Sequence, residues 1–226
     1  MTQTLELLPC FRKRPPQWPV AWEGFPYLFL WFGLGFISYV FYGPLASLPF
    51  IAAAFYTAYF FRNPSRRATV GEGLIISPAD GRVLDVTLCD ESKYLKGQAK
   101  RISIFMSPMN CHINRAPVDG KVLQCFYKRG TFKAAFKPKS MEHNECHALL
   151  MEDARGNKWL VVQVAGFLAR RIVSYVRGGE ELGAGERFGL IQFGSRVDLY
   201  CPVDVDISVR PGDRVYAGKT ILGRNL

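Results

Sequence analysis

The chain has 226 residues, 49% of them hydrophobic, which suits one substantial domain with a small appendage and excludes an intrinsically disordered protein. Its formal net charge of +10 predicts an anionic partner, either nucleic acid or a lipid surface. No RNA-binding, zinc-finger or helix-turn-helix pattern is visible, and most aromatic residues lie in one apolar block, so we expect a lipid surface and no nucleic acid.

The N-terminal part combines a basic segment, residues 1–23, with an uncharged apolar segment, residues 24–61. The apolar segment exceeds the roughly 20 residues that cross a bilayer, and Gly43-Pro44 near its middle would end one helix and begin another. Basic residues flank both ends, which favours a cytoplasmic location for both. We therefore predict a helical hairpin in the cell membrane, with an anionic membrane surface as partner and the remaining chain on the cytoplasmic face. A hairpin buried in a protein core is the alternative, whereas a signal peptide fits poorly.

After Arg67 the pattern changes to short alternating apolar runs bounded by Gly, Pro, Asp and Asn, which is typical of a mainly β domain. We assign residues 62–226 to this domain. The candidate strands are Leu74–Ile76, Val83–Val86, Ile102–Met106, Val122–Tyr127, Ala148–Met151, Trp159–Val164, Leu190–Phe193, Val197–Tyr200 and Val203–Val209. Ala154–Asn157 predicts a hairpin turn, and Lys139–Cys146 is the best candidate for a short helix.

A Pro-then-Asp-Gly turn occurs twice, in Ser77–Val83 and in Ala116–Val122. Such turns resemble those of biotinyl and lipoyl carrier domains and of sugar-phosphotransferase IIA domains. The fold class that this predicts is mainly β (α+β), a barrel-sandwich-hybrid-like half-barrel preceded by the helical membrane hairpin. Local steric preference alone could also produce two such turns.

A metal site is a weak hypothesis for this sequence. His143, Glu145, Cys146 and His147 are clustered, but their order is neither His-Glu-x-x-His nor its inverse. The six cysteines show no Cys-x-x-Cys spacing, so we expect them to be reduced. We predict no metal.

Gly194 and Ser195 lie between two predicted strands and form a pair that could cleave itself. Attack of the Ser195 hydroxyl on the Gly194 carbonyl would convert the amide into an ester. Elimination and hydrolysis would then leave a pyruvoyl group on the new N-terminus. A Gly-Ser turn between strands is common, so the pair alone does not establish this chemistry.

The sequence around this pair, GERFGLIQFGSRVD at residues 185–198, resembles the processing site of the phosphatidylserine decarboxylase proenzymes in their short Gly-Ser form. Further blocks resemble that family in the same order, and the resemblance extends from Phe60 to the C-terminus. These blocks are Phe60–Pro64, Ser77–Gly81, Asn114–Gly120, His143–Glu145, and Ala165-Gly166 with Ala169–Ile172. The resemblance implies cleavage between Gly194 and Ser195 into a β chain, residues 1–194, and an α chain, residues 195–226, that remain partners.

The resemblance also implies a covalent pyruvoyl cofactor derived from Ser195. Its ketone would form a Schiff base with the amine of phosphatidylserine and accept the electrons released with CO2, giving phosphatidylethanolamine. Decarboxylation of archaetidylserine or of a soluble amino acid stays open, as does a noncatalytic, membrane-tethered adaptor like a lipoyl or biotinyl domain. An acyl carrier would need a lysine at a hairpin tip, which the Pro-Asp-Gly turns lack. The sequence leaves the oligomeric state open and is compatible with a homo-oligomer.

The resemblance implies an acidic processing residue at Asp80 and a catalytic histidine at His112. From the residues alone, Asp80 could instead cap a turn and His112 could be a packed structural histidine. Arg115 occupies the place of a second histidine in longer relatives. Either Asp80 therefore acts on Ser195 without a bridging imidazole, or His112 serves both in processing and in turnover.

Arginines supply the candidate contacts to the lipid headgroup, because a guanidinium group holds phosphate or carboxylate through forked hydrogen bonds. A surface charge without a specific role is the alternative for each of them. The candidates are Arg115, Arg170, Arg171 and Arg196.

Overall fold

We describe the protein from a computed structural model, which covers residues 10–69, 71–130, 144–166, 171–192 and 195–225. The chain divides into two compact units. One unit is Pro15–Ser65, and the other joins residues 10–14 to the segment that begins at Arg66.

The smaller unit is a helical hairpin. A 3-10 turn, Trp22–Gly24, leads into α1, Phe25–Tyr42, and α2 spans Pro44–Phe60. Gly43 between the helices has a φ of +83°, which glycine adopts without strain, and Pro44 opens α2 where its missing N–H is tolerated. The predicted helix break at Gly43-Pro44 is confirmed.

The hairpin presents apolar side chains outward. The indole of Trp31 donates a hydrogen bond of 3.0 Å to the Thr57 hydroxyl between the helices. Large apolar side chains on both helices are each more than 60% exposed, including Phe29, Phe32, Phe36, Phe41, Leu45 and Phe55. The stretch Trp22–Tyr42 has 21 residues and a mean hydropathy of 1.5, so it is long and apolar enough to cross a membrane, whereas α2 is shorter.

The larger unit consists of antiparallel β-structure. Its strands are β1 Leu74–Ile76, β2 Gly81–Glu91, β3 Gly97–Met106, β4 Ile113–Arg115, β5 Gly120–Lys128, β6 Cys146–Glu152, β7 Lys158–Ala165, β8 Arg171–Ser174, β9 Glu181–Leu182, β10 Arg187–Gln192, β11 Ser195–Cys201, β12 Asp206–Ile207, β13 Arg214–Val215 and β14 Ile221–Arg224. Eight of them form one curled half-barrel sheet in the order β13-β2-β3-β11-β7-β6-β5-β9. Two three-stranded sheets, β4-β10-β8 and β1-β14-β12, complete the unit, and the predicted fold class is confirmed.

Strand β11 lies in the middle of the large sheet and is buried on both faces. Alternate side chains project to opposite faces of a strand. Val197, Leu199 and Cys201 therefore join the main core, while Tyr200 joins a second apolar cluster on the other face with residues such as Leu160. Two-sided burial fixes the position of the residue that begins this strand.

Most of the predicted strands are confirmed, and the hairpin turn at Ala154–Asn157 joins β6 to β7. The strand expected over Val203–Val209 is reduced to Asp206–Ile207, because Val205 instead donates its N–H to Pro202 in a turn. The helix expected over Lys139–Cys146 is wrong where the structure describes it, because Cys146 begins β6. Residues 139–143 of that prediction lie outside the described residues.

Residues 10–14 also belong to the β unit. Arg12 donates its N–H to the Ser174 carbonyl at 2.8 Å, and Ser174 donates to the Cys10 carbonyl at 2.9 Å. Residues 10–12 of the basic N-terminal segment therefore form backbone hydrogen bonds with the end of β8.

Candidate active site

The predicted cleavage site lies where the chain passes from one sheet to another. Strand β10 ends at Gln192 in the small sheet β4-β10-β8, and β11 begins at Ser195 in the eight-stranded sheet. Gly194, with Phe193, lies outside the described residues. Ser195 is the first residue of a central strand, so the predicted cut lies directly before that strand.

Ser195 is held firmly by its backbone but weakly by its side chain. It is fully buried and pairs with Met106 of β3 on one side and with Ala165 of β7 on the other. Among the described residues, its hydroxyl makes one hydrogen bond, of 3.4 Å to the sulfur of Met106. A thioether is a weak acceptor, so no strong acceptor in the described part of the chain engages this hydroxyl.

His112 lies on the connection that leads from β3, the partner of Ser195, to β4, the partner of β10. It is buried, with 2% exposure, and its carbonyl accepts a hydrogen bond of 3.3 Å from Ile191, three residues before Gly194. Its Nδ1 lies 3.0 Å from the Asn110 carbonyl oxygen. Because a carbonyl only accepts, the proton is assigned to Nδ1 and Nε2 is the basic nitrogen. His112 thus bonds to strand β10, and Ser195 begins β11, the strand that follows β10 in the chain.

Asp80 lies at the entry to β2 and is committed to other partners. Its two oxygens accept from the guanidinium of Arg66, one of these bonds being 2.8 Å, and the Ala217 N–H donates a further bond of 2.8 Å. The hydrogen bond to Asp80 raises the pKa of Arg66. The contacts that the structure gives Asp80 are therefore those of a buried ion pair, and a direct role on Ser195 stays a prediction.

The turn that carries Asp80 nevertheless touches the histidine block. The Pro78 carbonyl accepts a hydrogen bond of 2.9 Å from the Arg115 N–H. The guanidinium of Arg115 is buried and donates to the Gly185 carbonyl at 2.8 Å, and burial lowers its pKa. The blocks Ser77–Gly81 and Asn114–Gly120, which both carry the sequence resemblance, are thus in direct contact. The side chain of Arg115 faces the protein interior.

Arg196 lies on the face of β11 opposite the Ser195 side chain. It is 4% exposed and donates through Nε and Nη2 to one oxygen of the fully buried Asp198, at 3.1 and 2.9 Å. Burial raises the pKa of Asp198, and the attraction of Arg196 opposes that shift. Arg171, on β8 opposite Gln192, is exposed, and Arg170 lies outside the described residues. Headgroup binding by these arginines stays a prediction.

A chain of buried, hydrogen-bonded side chains lies beside Ser195, and the sequence analysis did not predict it. His147 Nδ1 lies 2.9 Å from Gln163 Oε1, and Gln163 Nε2 donates to Asn114 Oδ1 at 2.7 Å. The amide of Asn114 donates in turn to the Met106 sulfur at 3.6 Å, the same atom that accepts from Ser195. The sequence signal for this chain is that His147 and Gln163 each interrupt an otherwise apolar strand, since the members of the chain lie far apart in sequence.

The cluster proposed for a metal does not converge where the structure describes it. Glu145 Oε1 accepts from the Tyr127 hydroxyl at 3.0 Å and from the Ile172 N–H at 3.1 Å. Cys146 and His147 project to opposite faces of β6. Among the described residues no three His, Cys, Asp or Glu side chains could share an ion, and His143 lies outside them. The six cysteines all lie within the described residues, and none of them forms a disulfide there.

Comparisons with known proteins cover most of this chain. A family model described as phosphatidylserine decarboxylase matches residues 53–223. A phosphatidylserine decarboxylase proenzyme of Syntrophotalea carbinolica is 44% identical over 205 residues, which are 91% of this chain and 96% of that protein. A proenzyme of the same name from Desulfotalea psychrophila is 42% identical over 209 residues, with 92% and 98% covered. The one from Geotalea uraniireducens is 44% identical over 209 residues, with 91% and 96% covered. This chain therefore belongs to the phosphatidylserine decarboxylase family.

Proposed function

We propose that this protein is a self-processing decarboxylase of phosphatidylserine in which Ser195 becomes a pyruvoyl group. The observation that supports the proposal best is the environment of Ser195. Among the described residues, the buried Ser195 hydroxyl bonds to a thioether alone, and it lies at the point where the chain enters a central strand. Such a hydroxyl suits a nucleophile that later becomes the first residue of a new chain.

The residues around Ser195 fit such a group. Its backbone is fixed by β3 and β7, so a short ketone at this position would remain in a defined place. Met106 and Ala165, its direct partners, are fully buried and carry no charge. Exclusion of water strengthens electrostatic interactions and limits side reactions at a reactive carbonyl.

In the processing step, Ser195 Oγ attacks the Gly194 carbonyl carbon while the amide nitrogen leaves, so an ester replaces the amide. Loss of the Ser195 α-proton expels the Gly194 carboxylate, and water then replaces the nitrogen, which departs as ammonia. We assign the uptake of the hydroxyl proton to Nε2 of His112. Asp80 acts in this proposal as a positioning residue, because its turn contacts the segment that follows His112.

When present, a pyruvoyl group supplies an electrophile for the substrate amine and an electron sink for the loss of CO2. The chain itself supplies orientation and protons. We assign to His112 the delivery of a proton to the carbon from which CO2 departs, since an imidazole works as acid and base near neutral pH. The apolar hairpin would keep the enzyme at the bilayer, where a two-chain lipid resides.

The proposal is tested with vesicles that contain phosphatidylserine labelled in its carboxyl carbon. We expect the wild-type protein to release labelled CO2 and leave phosphatidylethanolamine, and Ser195→Ala to remain a single uncut chain without activity. His112→Gln should lose about 100-fold or more in turnover, since a positioned acid or base contributes that much. Ser103→Ala, another buried serine on the neighbouring β3, is the matched control and should be cut and active. Release of CO2 by an uncut Ser195→Ala protein would overturn the proposal.

A further inference from the structure

Asn114 carries a fully buried side-chain amide that has no strong acceptor among the described residues. Its Nδ2 lies 3.5 Å from the Pro78 carbonyl oxygen and 3.6 Å from the Met106 sulfur. A hydrogen bond from an amide to an oxygen is usually about 2.9 Å long, and a thioether is a weak acceptor. The Pro78 carbonyl already accepts a hydrogen bond of 2.9 Å from the Arg115 N–H. The donor capacity of the Asn114 amide is therefore largely unused in the uncut chain.

The orientation of this amide is fixed by its neighbours. Gln163 Nε2 donates to Asn114 Oδ1 at 2.7 Å, and His147 Nδ1 lies 2.9 Å from Gln163 Oε1. If both amides were reversed, Asn114 Oδ1 would face a carbonyl oxygen and a thioether sulfur, neither of which can donate. The Nδ2 group of Asn114 is therefore the end that points toward the Met106 sulfur.

The strand register places this amide on the same face of the large sheet as the Ser195 hydroxyl. Ser195 pairs directly with Met106 of β3 and with Ala165 of β7. Gln163 comes two residues before Ala165, so its side chain projects to the same face of β7. The Asn114 amide bonds to Gln163 and contacts the Met106 sulfur at 3.6 Å. The Ser195 hydroxyl contacts that same sulfur atom at 3.4 Å, so the amide and the hydroxyl are neighbours.

A strong acceptor for this amide would form during self-cleavage. In the uncut chain the Ser195 hydroxyl donates to the sulfur. As His112 takes up the hydroxyl proton, negative charge develops on Ser195 Oγ, and a charged oxygen accepts hydrogen bonds far better than a thioether does. A donor that engages this oxygen more strongly in the transition state than in the ground state accelerates the reaction.

We propose that Asn114 Nδ2 donates a hydrogen bond to Ser195 Oγ during self-cleavage and stabilises the charge that develops there. Gln163 is the positioning residue that keeps the donor end of Asn114 directed at this oxygen. The inference rests on the proposed function, because it assigns a residue to the first step of processing. It requires one N–H of Asn114 to move from the sulfur to the neighbouring oxygen, without rearrangement of the strands.

The test follows the cleavage of full-length chains, made by cell-free translation, on a gel over time. We expect Asn114→Ala to slow cleavage about 100-fold, as loss of one donor at a developing charge does. Asn157→Ala is the matched control, because it removes a side-chain amide that donates to Asp153 at 3.1 Å in the turn between β6 and β7. This control should be cut at the wild-type rate. Cleavage of Asn114→Ala at the wild-type rate would overturn the inference.

Hydroxylamine identifies the step that Asn114 serves, because it cuts an ester far faster than an amide. If Asn114 assists the attack of Ser195 Oγ, little ester forms in Asn114→Ala, and hydroxylamine should leave its slow cleavage unchanged. Rapid cutting of Asn114→Ala by hydroxylamine would show that the ester forms without Asn114, and would overturn the assignment.

Gln163→Met tests the positioning role, since it keeps the size of the side chain and removes the bond that orients Asn114. We expect cleavage to slow about tenfold, as loss of one buried hydrogen bond does. The double variant with Asn114→Ala should be no slower than Asn114→Ala alone, because Gln163 acts through Asn114. Two losses that multiply would contradict this role.

A second variant applies if circular dichroism shows that Asn114→Ala does not fold. Asn114→Asp has nearly the same shape, and its carboxylate accepts from Gln163 but cannot donate to Ser195, so the same loss is expected above neutral pH. Wild-type cleavage of this variant would overturn the inference.

The wild-type protein separates this inference from the proposed function. Cleavage that is insensitive to Asn114, in a protein that decarboxylates phosphatidylserine, would refute the inference alone. Cleavage that depends on Asn114, in a protein that leaves phosphatidylserine unchanged, would refute the proposed function alone.

Discussion

Asp80 accepts three hydrogen bonds inside the β unit, two from Arg66 and one from the Ala217 N–H. The side chain of Arg66 is 11% exposed and that of Asp80 is 4% exposed. An Asn at position 80 would keep the shape but leave the Arg66 charge without its counterion. Arg66 is 14 residues before Asp80, and no helix or strand pattern connects the two positions. The sequence therefore indicates the acid but not its ion pair.

We expect Asp80→Asn, made in the uncut Ser195→Ala protein, to lower the free energy of unfolding by about 3 kcal/mol, as loss of one partner of a buried ion pair does. Urea unfolding measures this change. Asp85→Asn breaks the more exposed pair with Arg101 and should cost less than about 1 kcal/mol. If Asp80→Asn leaves stability unchanged and abolishes cleavage when Ser195 is present, Asp80 belongs to the chemistry instead.

A polar bridge connects two of the sheets. His147 of β6 and Gln163 of β7 belong to the large sheet, and Asn114 of β4 belongs to the small one. Full burial lowers the pKa of His147 from its ordinary value of 6.5 to about 4. The folded protein therefore holds this imidazole neutral at neutral pH.

The sign of the resulting pH dependence follows from proton binding. Between the two pKa values the unfolded chain binds a proton that the folded chain does not, so stability falls as the pH falls from 6.5 towards 4. One such group contributes a slope of at most about 1.4 kcal/mol per pH unit. We expect His147→Gln to flatten the measured profile by that slope. Asp198 is present in both proteins, so its contribution cancels, and identical profiles would contradict the neutral buried histidine.

The helical hairpin is the second element with a direct consequence. Because residues 10–14 pair beside β8, a truncation from the N-terminus would damage the β unit, and excision is the cleaner change. Replacement of Pro15–Ser65 by a flexible linker should give a protein that no longer sediments with phosphatidylserine vesicles, whereas the full chain does. The control is the circular dichroism of the β unit, which should persist. Unchanged sedimentation would show that the apolar helices do not anchor the protein.

Elements with strong patterns were predictable, and those that depend on partners were not. The apolar block, the Gly43-Pro44 break and strands such as β3 and β11 carry their own periodicity. In contrast, β4 and β8 have three and four residues and exist because β10 pairs with both of them. The Gly-Ser pair was recognisable from its neighbours in sequence, but the hydrogen-bonded chain from His147 through Gln163 to Asn114 needed the register of the strands.

The segment that follows the predicted cut pairs with strands that precede the cut. β11 pairs with β3 and β7, β13 with β2, and β14 with β1. All of these partners precede residue 195. Cleavage would therefore leave the two chains joined by hydrogen bonds and by the main core.

We expect the two chains to elute as one species in size-exclusion chromatography under native conditions and to separate only in denaturant. The physical reason is that β11 is paired on both edges and buried on both faces, so its release would break two ladders of hydrogen bonds and expose the main core. The uncut Ser195→Ala protein supplies the reference elution volume. Spontaneous loss of the segment 195–226 from the native protein would contradict this architecture.

In the proposed processing, Ser195 becomes a ketone through cleavage of its own peptide bond. The most direct measurement is the intact mass of the denatured wild-type protein, before and after treatment with borohydride. We expect a chain that ends at Gly194 and a second chain, residues 195–226. The second chain should be lighter by one ammonia than its sequence and should gain two hydrogens on reduction. A single uncut mass of about 25.5 kDa, or a second chain that begins with unmodified serine, would contradict it.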